Sequence, residues 1–115
     1  MLVVDDDRDF RRLAARMLAG MELSVVGEAG TVAEAEALAA RLRPAAALVD
    51  VGLPDGDGLE LAARLAALPW SPRVVITSSD AEATTPDGAR RLGAVGFLAK
   101  GSLLNGTLHG LLTGE

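Results

Sequence analysis

Five short apolar runs alternate with five helix-like segments along the 115-residue chain, strand first and helix second each time. Strands that are separated by a helix join a sheet in parallel, through right-handed crossovers. The runs are apolar at consecutive positions, as in strands that helices cover on both faces. The pattern predicts an α/β fold with a single (βα)5 doubly wound parallel sheet. The predicted strands are residues 1–4, 23–27, 44–50, 73–77 and 95–99.

Capping residues, glycine and proline mark the boundaries of the helices. Asp7 is predicted to open the first helix, which ends at Gly20, and Thr31 forms a capping box with Glu34. Further predicted boundaries are the stop of the second helix at Pro44, a third helix from Asp57 to Pro69, a long loop from Ser78, and a fourth helix from Thr85 to about Leu92. The last helix is predicted from the spacing of Leu104, Leu108, Leu111 and Leu112, and it contains Gly106 and Gly110.

The composition narrows the classes of function. Sixteen acidic residues against eleven basic ones give a net charge of -5, the wrong sign for holding a phosphate backbone. Three aromatic residues in the chain are too few for a platform that stacks bases. No apolar run is long enough to span a membrane, and the first residues already belong to a strand. We therefore expect one cytoplasmic domain that binds neither nucleic acid nor membrane directly.

Polar residues stand at the carboxyl ends of four predicted strands. Asp5 and Asp6 follow the first strand, Asp50 ends the third, Thr77 ends the fourth, and Lys100 follows the fifth. Ligands of open parallel sheets bind outside the carboxyl ends of the strands. An acid at the end of one buried strand is, taken alone, more often a structural cap than a functional group. Five polar residues at one edge instead predict a shared site.

Three neighbouring carboxylates repel one another, and a divalent cation relieves that repulsion. An all-oxygen site with few protein ligands suits Mg²⁺, or Mn²⁺ in its place. We expect its ligands to be Asp5, Asp6, Asp50 and the backbone carbonyl of Gly52, which the following turn directs inward. An ionised Asp50 is then able to attack a phosphorus atom as a carboxylate nucleophile.

Lys100 and Thr77 are the expected contacts of the transferred phosphoryl group. A lysine ammonium pairs with phosphoryl oxygens as a point charge, and a threonine hydroxyl donates one hydrogen bond to them. Alone, Lys100 would be read as a solvated lysine and Thr77 as an ordinary β-branched strand end. The acids on the same edge favour the functional interpretation of both residues.

Four ordered motifs resemble the receiver domain of bacterial two-component response regulators and together cover essentially the whole chain. The last of them is most similar to receivers that carry a helix-turn-helix output domain of the LuxR or NarL type. The motifs are Val3-Val4-Asp5-Asp6, Leu48-Val49-Asp50 with Leu53-Pro54-Asp55-Gly56-Asp57-Gly58, Val75-Ile76-Thr77-Ser78, and Gly93-Ala94-Val95-Gly96-Phe97-Leu98-Ala99-Lys100.

The resemblance implies a flavodoxin-like sheet with the strand order 2-1-3-4-5. It makes Asp50 the phosphoacceptor and Lys100 the residue that contacts the phosphoryl group, while the pair Asp5 and Asp6 binds Mg²⁺. Two further residues are implied to carry the signal away from the site. They are the switch hydroxyl of Thr77 and the switch aromatic Phe97, which turns inward on activation.

The resemblance also implies the partners of a non-enzymatic signalling domain. A sensor histidine kinase would phosphorylate it, and an output domain or a separate effector protein would respond, while formation of a homodimer is left open. Residues 1–115 are expected to comprise the receiver domain alone, without an output domain. Two features depart from the family pattern. Gly101 stands where many receivers have a proline, and Pro86 and Gly88 shorten the fourth helix.

Two other functions remain open on the sequence. A Mg²⁺-dependent phosphatase or phosphotransferase with an aspartyl-phosphate intermediate would share the same acids, threonine and lysine. Such an enzyme needs a second acid two residues after the nucleophile, where this chain has Gly52. The third function is a receiver-like interaction module that works without phosphorylation.

Overall fold

A five-stranded parallel sheet forms the centre of the molecule, and helices cover both of its faces. The computed structural model describes residues 1–103 and 106–114. The sheet has the order β2-β1-β3-β6-β7, which confirms the predicted α/β class and the strand order 2-1-3-4-5. A separate two-stranded hairpin, β4 with β5, follows β3. The strands are β1 Leu2–Val4, β2 Gly27–Ala29, β3 Ala46–Asp50, β4 Gly52–Leu53, β5 Gly56–Asp57, β6 Arg73–Ser78 and β7 Gly96–Ala99.

Four of the five helices begin at a side chain that caps their first turn. Asp7, Thr31, Asp57 and Thr85 each accept a hydrogen bond from a backbone N–H of the helix that follows, as the sequence predicts. Within the described residues, no helix is both long enough and apolar enough to pass through a membrane. The helices are α1 Arg8–Gly20, α2 Val32–Leu42, α3 Gly58–Ala66, α4 Pro86–Arg91 and α5 Thr107–Thr113.

Successive side chains of a strand point to opposite faces of the sheet. Because helices cover both faces, the side chains of the central strands are buried on both sides. Val4 and Val49 pack with residues of α2, α3 and α4 in one apolar cluster. Val3 and Leu48 pack with residues of α1 and α5 in the other. Each continuous apolar run therefore contributes side chains to both apolar clusters. The polar residues of the central strands stand at the strand ends.

The second strand differs from its prediction. Residues 23–27 were expected to form it, but β2 covers Gly27–Ala29, and Gly27 pairs with Leu2 at the start of β1. Residues 23–25 therefore lie before the first pair of this ladder, where only Met1 precedes β1, and the N-terminal amine of Met1 donates to the carbonyl oxygen of Ser24 at 2.6 Å. Leu23 and Val25 instead pack their side chains against the cluster beneath α1 and α5.

The last helix is also shorter than predicted. Gly106 was expected inside it, but this residue has φ of 90° and serves as the N-cap, so the helix proper starts at Thr107. A left-handed backbone of this kind suits glycine and does not continue an α-helix. Leu104, which was part of the predicted apolar face, lies outside the described residues, whereas Leu108 and Leu112 are buried as expected.

Gly58 lets α3 approach the end of β3 closely. Its backbone N–H donates to the carbonyl oxygen of Val51 at 3.0 Å. A Cβ atom at this position would lie 2.0 Å from the carbonyl oxygen of Asp50 and 2.7 Å from the Cα of Val51. Both of these neighbours are backbone atoms, so no side-chain movement would make room. The position of Asp50 therefore depends on a glycine eight residues later.

We expect Gly58→Ala to lower the free energy of unfolding by about 3 kcal/mol or more, since overpacking commonly costs about 1–3 kcal/mol even where side chains can yield. Urea denaturation would measure the change. Gly20→Ala is the matched control, because no atom outside its own helix lies within 4 Å of the added Cβ. It should stay within about 1 kcal/mol of the wild type. Equal stability of Gly58→Ala and the wild type would contradict the close approach.

Candidate functional site

Three carboxylates meet at the carboxyl edge of the sheet. Asp5 and Asp6 follow β1, Asp50 ends the neighbouring β3, and one oxygen from each lies within 4.8 Å of the others. Asp5 is fully buried and Asp50 is 6% exposed, whereas Asp6 is open to solvent. Two acids of the cluster are therefore buried, and the third, Asp6, faces solvent.

The backbone around Asp5 is held from several sides. Its N–H donates to the carbonyl oxygen of Ala29 at 2.9 Å, and its Oδ1 accepts from the N–H of Asp7 at 2.9 Å. The Arg11 guanidinium donates to the carbonyl oxygen of Asp5 at 2.6 Å and also to Glu28. No pattern in the sequence marked Arg11, because a single arginine on the flank of a helix carries no signal of its tertiary partner.

Lys100 supplies the positive charge of the cluster. Its Nζ lies 2.7 Å from Asp5 Oδ2 and 3.6 Å from Asp50 Oδ1. Burial alone would lower the pKa of Lys100, but the hydrogen bond and the charge of Asp5, together with those of Asp50, outweigh it and raise the pKa. The lysine thus stays protonated and bridges two acids that come from different strands.

Asp50 has a raised pKa. Burial is the largest cause, because it disfavours the charged carboxylate, and the charge on Asp5 adds to it. Lys100 opposes the shift without cancelling it, and Asp6 contributes a smaller repulsion. The ionised form of Asp50 is therefore strained by its surroundings, and a further cation at the cluster would relieve it.

Thr77 lies directly beside Asp50, since the two residues are paired across β3 and β6. Its carbonyl oxygen accepts from the N–H of Val51 at 3.0 Å. Its Oγ1 is buried and has no hydrogen-bond partner in the parts of the chain that the structure describes. A buried hydroxyl without a partner is costly, and it can donate to an acceptor that arrives at the site.

Gly52 begins the hairpin that follows Asp50. A Cβ on this residue would lie 3.7 Å from Asp50 Oδ2, so its backbone is close to the acid cluster. The hairpin is tied to α2 by Asp55, whose two carboxylate oxygens accept from the N–H groups of Val32 at 2.7 Å and Ala33 at 3.1 Å. The first of these bonds is the main cause of the lowered pKa of Asp55.

Phe97 lies in β7 beside Ile76 of β6. It is 8% exposed and belongs to the cluster beneath α2, α3 and α4. The ring is thus buried in this structure, three positions before Lys100. The resemblance implies such an inward position for the activated state.

The donor set fits a divalent cation that prefers oxygen ligands. Three carboxylates within reach of one another, one of them exposed, match the few protein ligands and retained waters of a Mg²⁺ site. Lys100 supplies one positive charge to three carboxylates, and burial first and the charge of Asp5 second keep the pKa of Asp50 raised despite it. Among the described residues, the three carboxylates and Lys100 carry a net negative charge that one more cation would reduce. One oxygen of each acid also lies close enough to the others to bind that cation.

Comparison with known proteins identifies relatives over most of the chain. The family profile of the response regulator receiver domain matches residues 1–108. A DNA-binding transcriptional activator of Mycobacterium tuberculosis, DevR/DosR, is 41% identical over 102 residues, which cover 87% of this chain and 46% of the relative. The response regulator GacA of Pseudomonas aeruginosa is 36% identical over 89% of this chain and 48% of its own length. The chain thus spans about half the length of these curated relatives.

Solved structures resemble the fold over nearly its full length. The receiver domain of the putative response regulator NarL from Mycobacterium tuberculosis superposes with a TM-score of 0.79 at 31% identity, covering 96% of this chain and 93% of that one. The BeF3-activated N-terminal receiver domain of RstA from Klebsiella pneumoniae gives a TM-score of 0.81 at 27% identity, covering 97% of each chain. The arrangement of strands and helices is therefore that of receiver domains.

Replacing Asp50 by Asn should stabilise the protein at neutral pH in a buffer without divalent cations. The unfolded carboxyl titrates near its ordinary value of about 3.9 and the folded one above it, so stability decreases as the pH rises through this interval. Asp50→Asn removes that decrease and should raise the free energy of unfolding at pH 7 by on the order of 1 kcal/mol.

Denaturation curves at pH 4 and pH 7 would measure the difference. Asp57→Asn is the control, because Asp57 is exposed and asparagine caps a helix as well as aspartate does. This variant should change little at either pH. A variant Asp50→Asn that is less stable than the wild type at pH 7 would contradict a destabilising effect of the ionised, buried Asp50.

Proposed function

The chain belongs to the response regulator receiver domain family, and on that premise we propose that Asp50 is its phosphoacceptor in a Mg²⁺-dependent reaction. One observation carries the proposal: a buried carboxylate with a raised pKa is in contact with an acid pair and a lysine at the sheet edge. Structural acids at strand ends do not require two further acids and a cation as neighbours. The arrangement suits a nucleophile that must be ionised inside a closed site.

Asp5, Asp6 and Asp50, together with the carbonyl of Gly52, are the residues that would hold Mg²⁺. When bound, the cation neutralises the acids and orients the oxygens of the incoming phosphoryl group. Asp6 is the exposed member of the set, so it would meet the hydrated ion first. Asp5 is fixed by backbone bonds to Ala29 and Asp7, and it would keep the ligand geometry constant during the reaction.

The chemical step is a displacement at phosphorus. A carboxylate oxygen of Asp50 forms a bond to the phosphorus atom, while the bond from phosphorus to the donor breaks and its electron pair leaves with the donor. Negative charge then lies on the phosphoryl oxygens next to Asp50. Lys100 is within 3.6 Å of Asp50 Oδ1 and can donate to those oxygens.

Thr77 is the residue that would respond to the phosphoryl group on Asp50. Its unpartnered Oγ1 lies beside Asp50 and gains an acceptor when the phosphoryl group is attached. One hydrogen bond contributes about 0.5–1.5 kcal/mol, whereas driving an equilibrium from 1:99 to 99:1 needs about 5.5 kcal/mol. Thr77 would therefore act together with Lys100, the cation and the packing around Phe97.

The partners follow from the same proposal. A sensor histidine kinase is the phosphodonor, and small acyl phosphates react more slowly at the same residue. The response is the regulation of transcription through a region outside these residues. The length of the relatives and the transcriptional activity of DevR/DosR support this output. The net charge of -5 supports a domain that does not itself hold DNA.

Intact-mass measurement after incubation with acetyl phosphate and Mg²⁺ tests the proposal. We expect a single phosphate adduct on the wild type, none on Asp50→Asn, and an adduct on the control Asp57→Asn. Omission of Mg²⁺ should abolish the adduct. A wild type without an adduct, or an equal adduct on Asp50→Asn, would refute the role of Asp50. Continuous turnover of a phosphomonoester would instead favour a phosphatase.

A further inference from the structure

The ring of Phe10 lies against the ammonium group of Lys100. The distance from Lys100 Nζ to the ring centroid is 4.2 Å, within the range in which a cation is attracted to an aromatic face. Phe10 belongs to the first turn of α1, directly after the loop that carries Asp5 and Asp6.

Among the described residues, the ammonium also forms ion pairs with Asp5 and Asp50. Under the proposed function, Asp5 becomes a ligand of a cation and Asp50 gains a phosphoryl group. Both ionic contacts of Lys100 therefore change during the reaction, and a cation at Asp5 would also repel the ammonium. The ring of Phe10 is the contact that neither event alters.

We propose that Phe10 is a positioning residue, whose ring keeps the Lys100 ammonium over the acid cluster when Asp5 and Asp50 are engaged by other groups. The inference rests on the proposed function. Lys100 then turns from Asp5 toward the phosphoryl oxygens on Asp50 and does not move out into solvent. Phe10 itself touches neither the phosphoryl group nor the cation, and it acts through the lysine.

Phe10 packs at the margin of the cluster beneath α1 and α5, and it also reaches the ammonium of Lys100. Ala14 and Leu18 cover the sheet from α1 and are fully buried, whereas Phe10 is only partly buried at the end of the helix nearest the site. The ring shares a small cavity with Met17 and Lys100. Among apolar side chains, only an aromatic ring presents a negative face to the ammonium.

The composition of the chain makes the test direct, because Lys100 is its only lysine. Protein labelled with ¹³C-lysine gives one set of side-chain NMR signals, and the ε-methylene protons should be shifted upfield by the ring. We expect this shift in the wild type both without and with saturating Mg²⁺. It should be lost in Phe10→Leu and retained in Phe10→Tyr. Loss of the shift in the wild type on addition of Mg²⁺ would overturn the proposal.

The rate of phosphorylation by acetyl phosphate at saturating Mg²⁺ gives the functional measurement. Phe10→Leu should react about five-fold more slowly than the wild type, while Phe10→Tyr should stay within about two-fold. Met17→Leu, which changes the same cavity two turns further along α1, should react like the wild type. An unchanged rate in folded Phe10→Leu would show that the ring does not position the lysine for the reaction.

The two measurements separate this inference from the proposed function. A wild type that takes up no phosphate refutes the proposed function, yet the lysine signal still decides whether the ring holds the ammonium. A wild type that is phosphorylated but shows no ring-shifted lysine signal refutes the role of Phe10 alone. The Mg²⁺ titration uses the wild type, so the result does not depend on the folding of Phe10→Leu.

Discussion

Mutual repulsion of three carboxylates is the constraint on which the rest of the structure depends. Two such charges about 4 Å apart repel by about 1 kcal/mol in water and by about 4 kcal/mol at an effective dielectric constant of 20. Asp5 is fully buried and Asp50 nearly so, and the repulsion between them is therefore closer to the larger of these two energies. Lys100 offsets part of this repulsion, and the pKa of Asp50 stays raised through burial first and the charge of Asp5 second. The site is therefore built to gain from one additional cation.

The fold holds these charges together through its backbone. Neighbouring parallel strands end at the same edge, so β1 and β3 bring Asp5 and Asp50 together without any help from long side chains. Gly58 allows α3 to press against the end of β3, and Asp55 ties the intervening hairpin to α2. The repulsion between the acids is confined to the edge of the sheet. The two apolar clusters, one on each face of the sheet, supply the stability that offsets it.

The sequence predicted what depends on local pattern and missed what depends on tertiary contact. The carboxyl ends of β1, β3 and β7 and the N-caps of α1 to α4 were predicted correctly, because apolar runs and capping side chains act over a few residues. The position of β2 was wrong because it depends on where its partner strand begins. Phe10, Arg11 and Asp55 support the site through residues that are distant in sequence, so no spacing revealed them.

Titration calorimetry of Mg²⁺ with the wild type and Lys100→Gln tests the central claim most directly, namely that Lys100 is the resident counter-ion of the acid cluster. The ammonium lies 2.7 Å from Asp5 Oδ2 and so competes with any cation that binds there. We therefore expect Lys100→Gln to bind Mg²⁺ more tightly than the wild type. Binding that is equal or weaker in the variant would contradict the account.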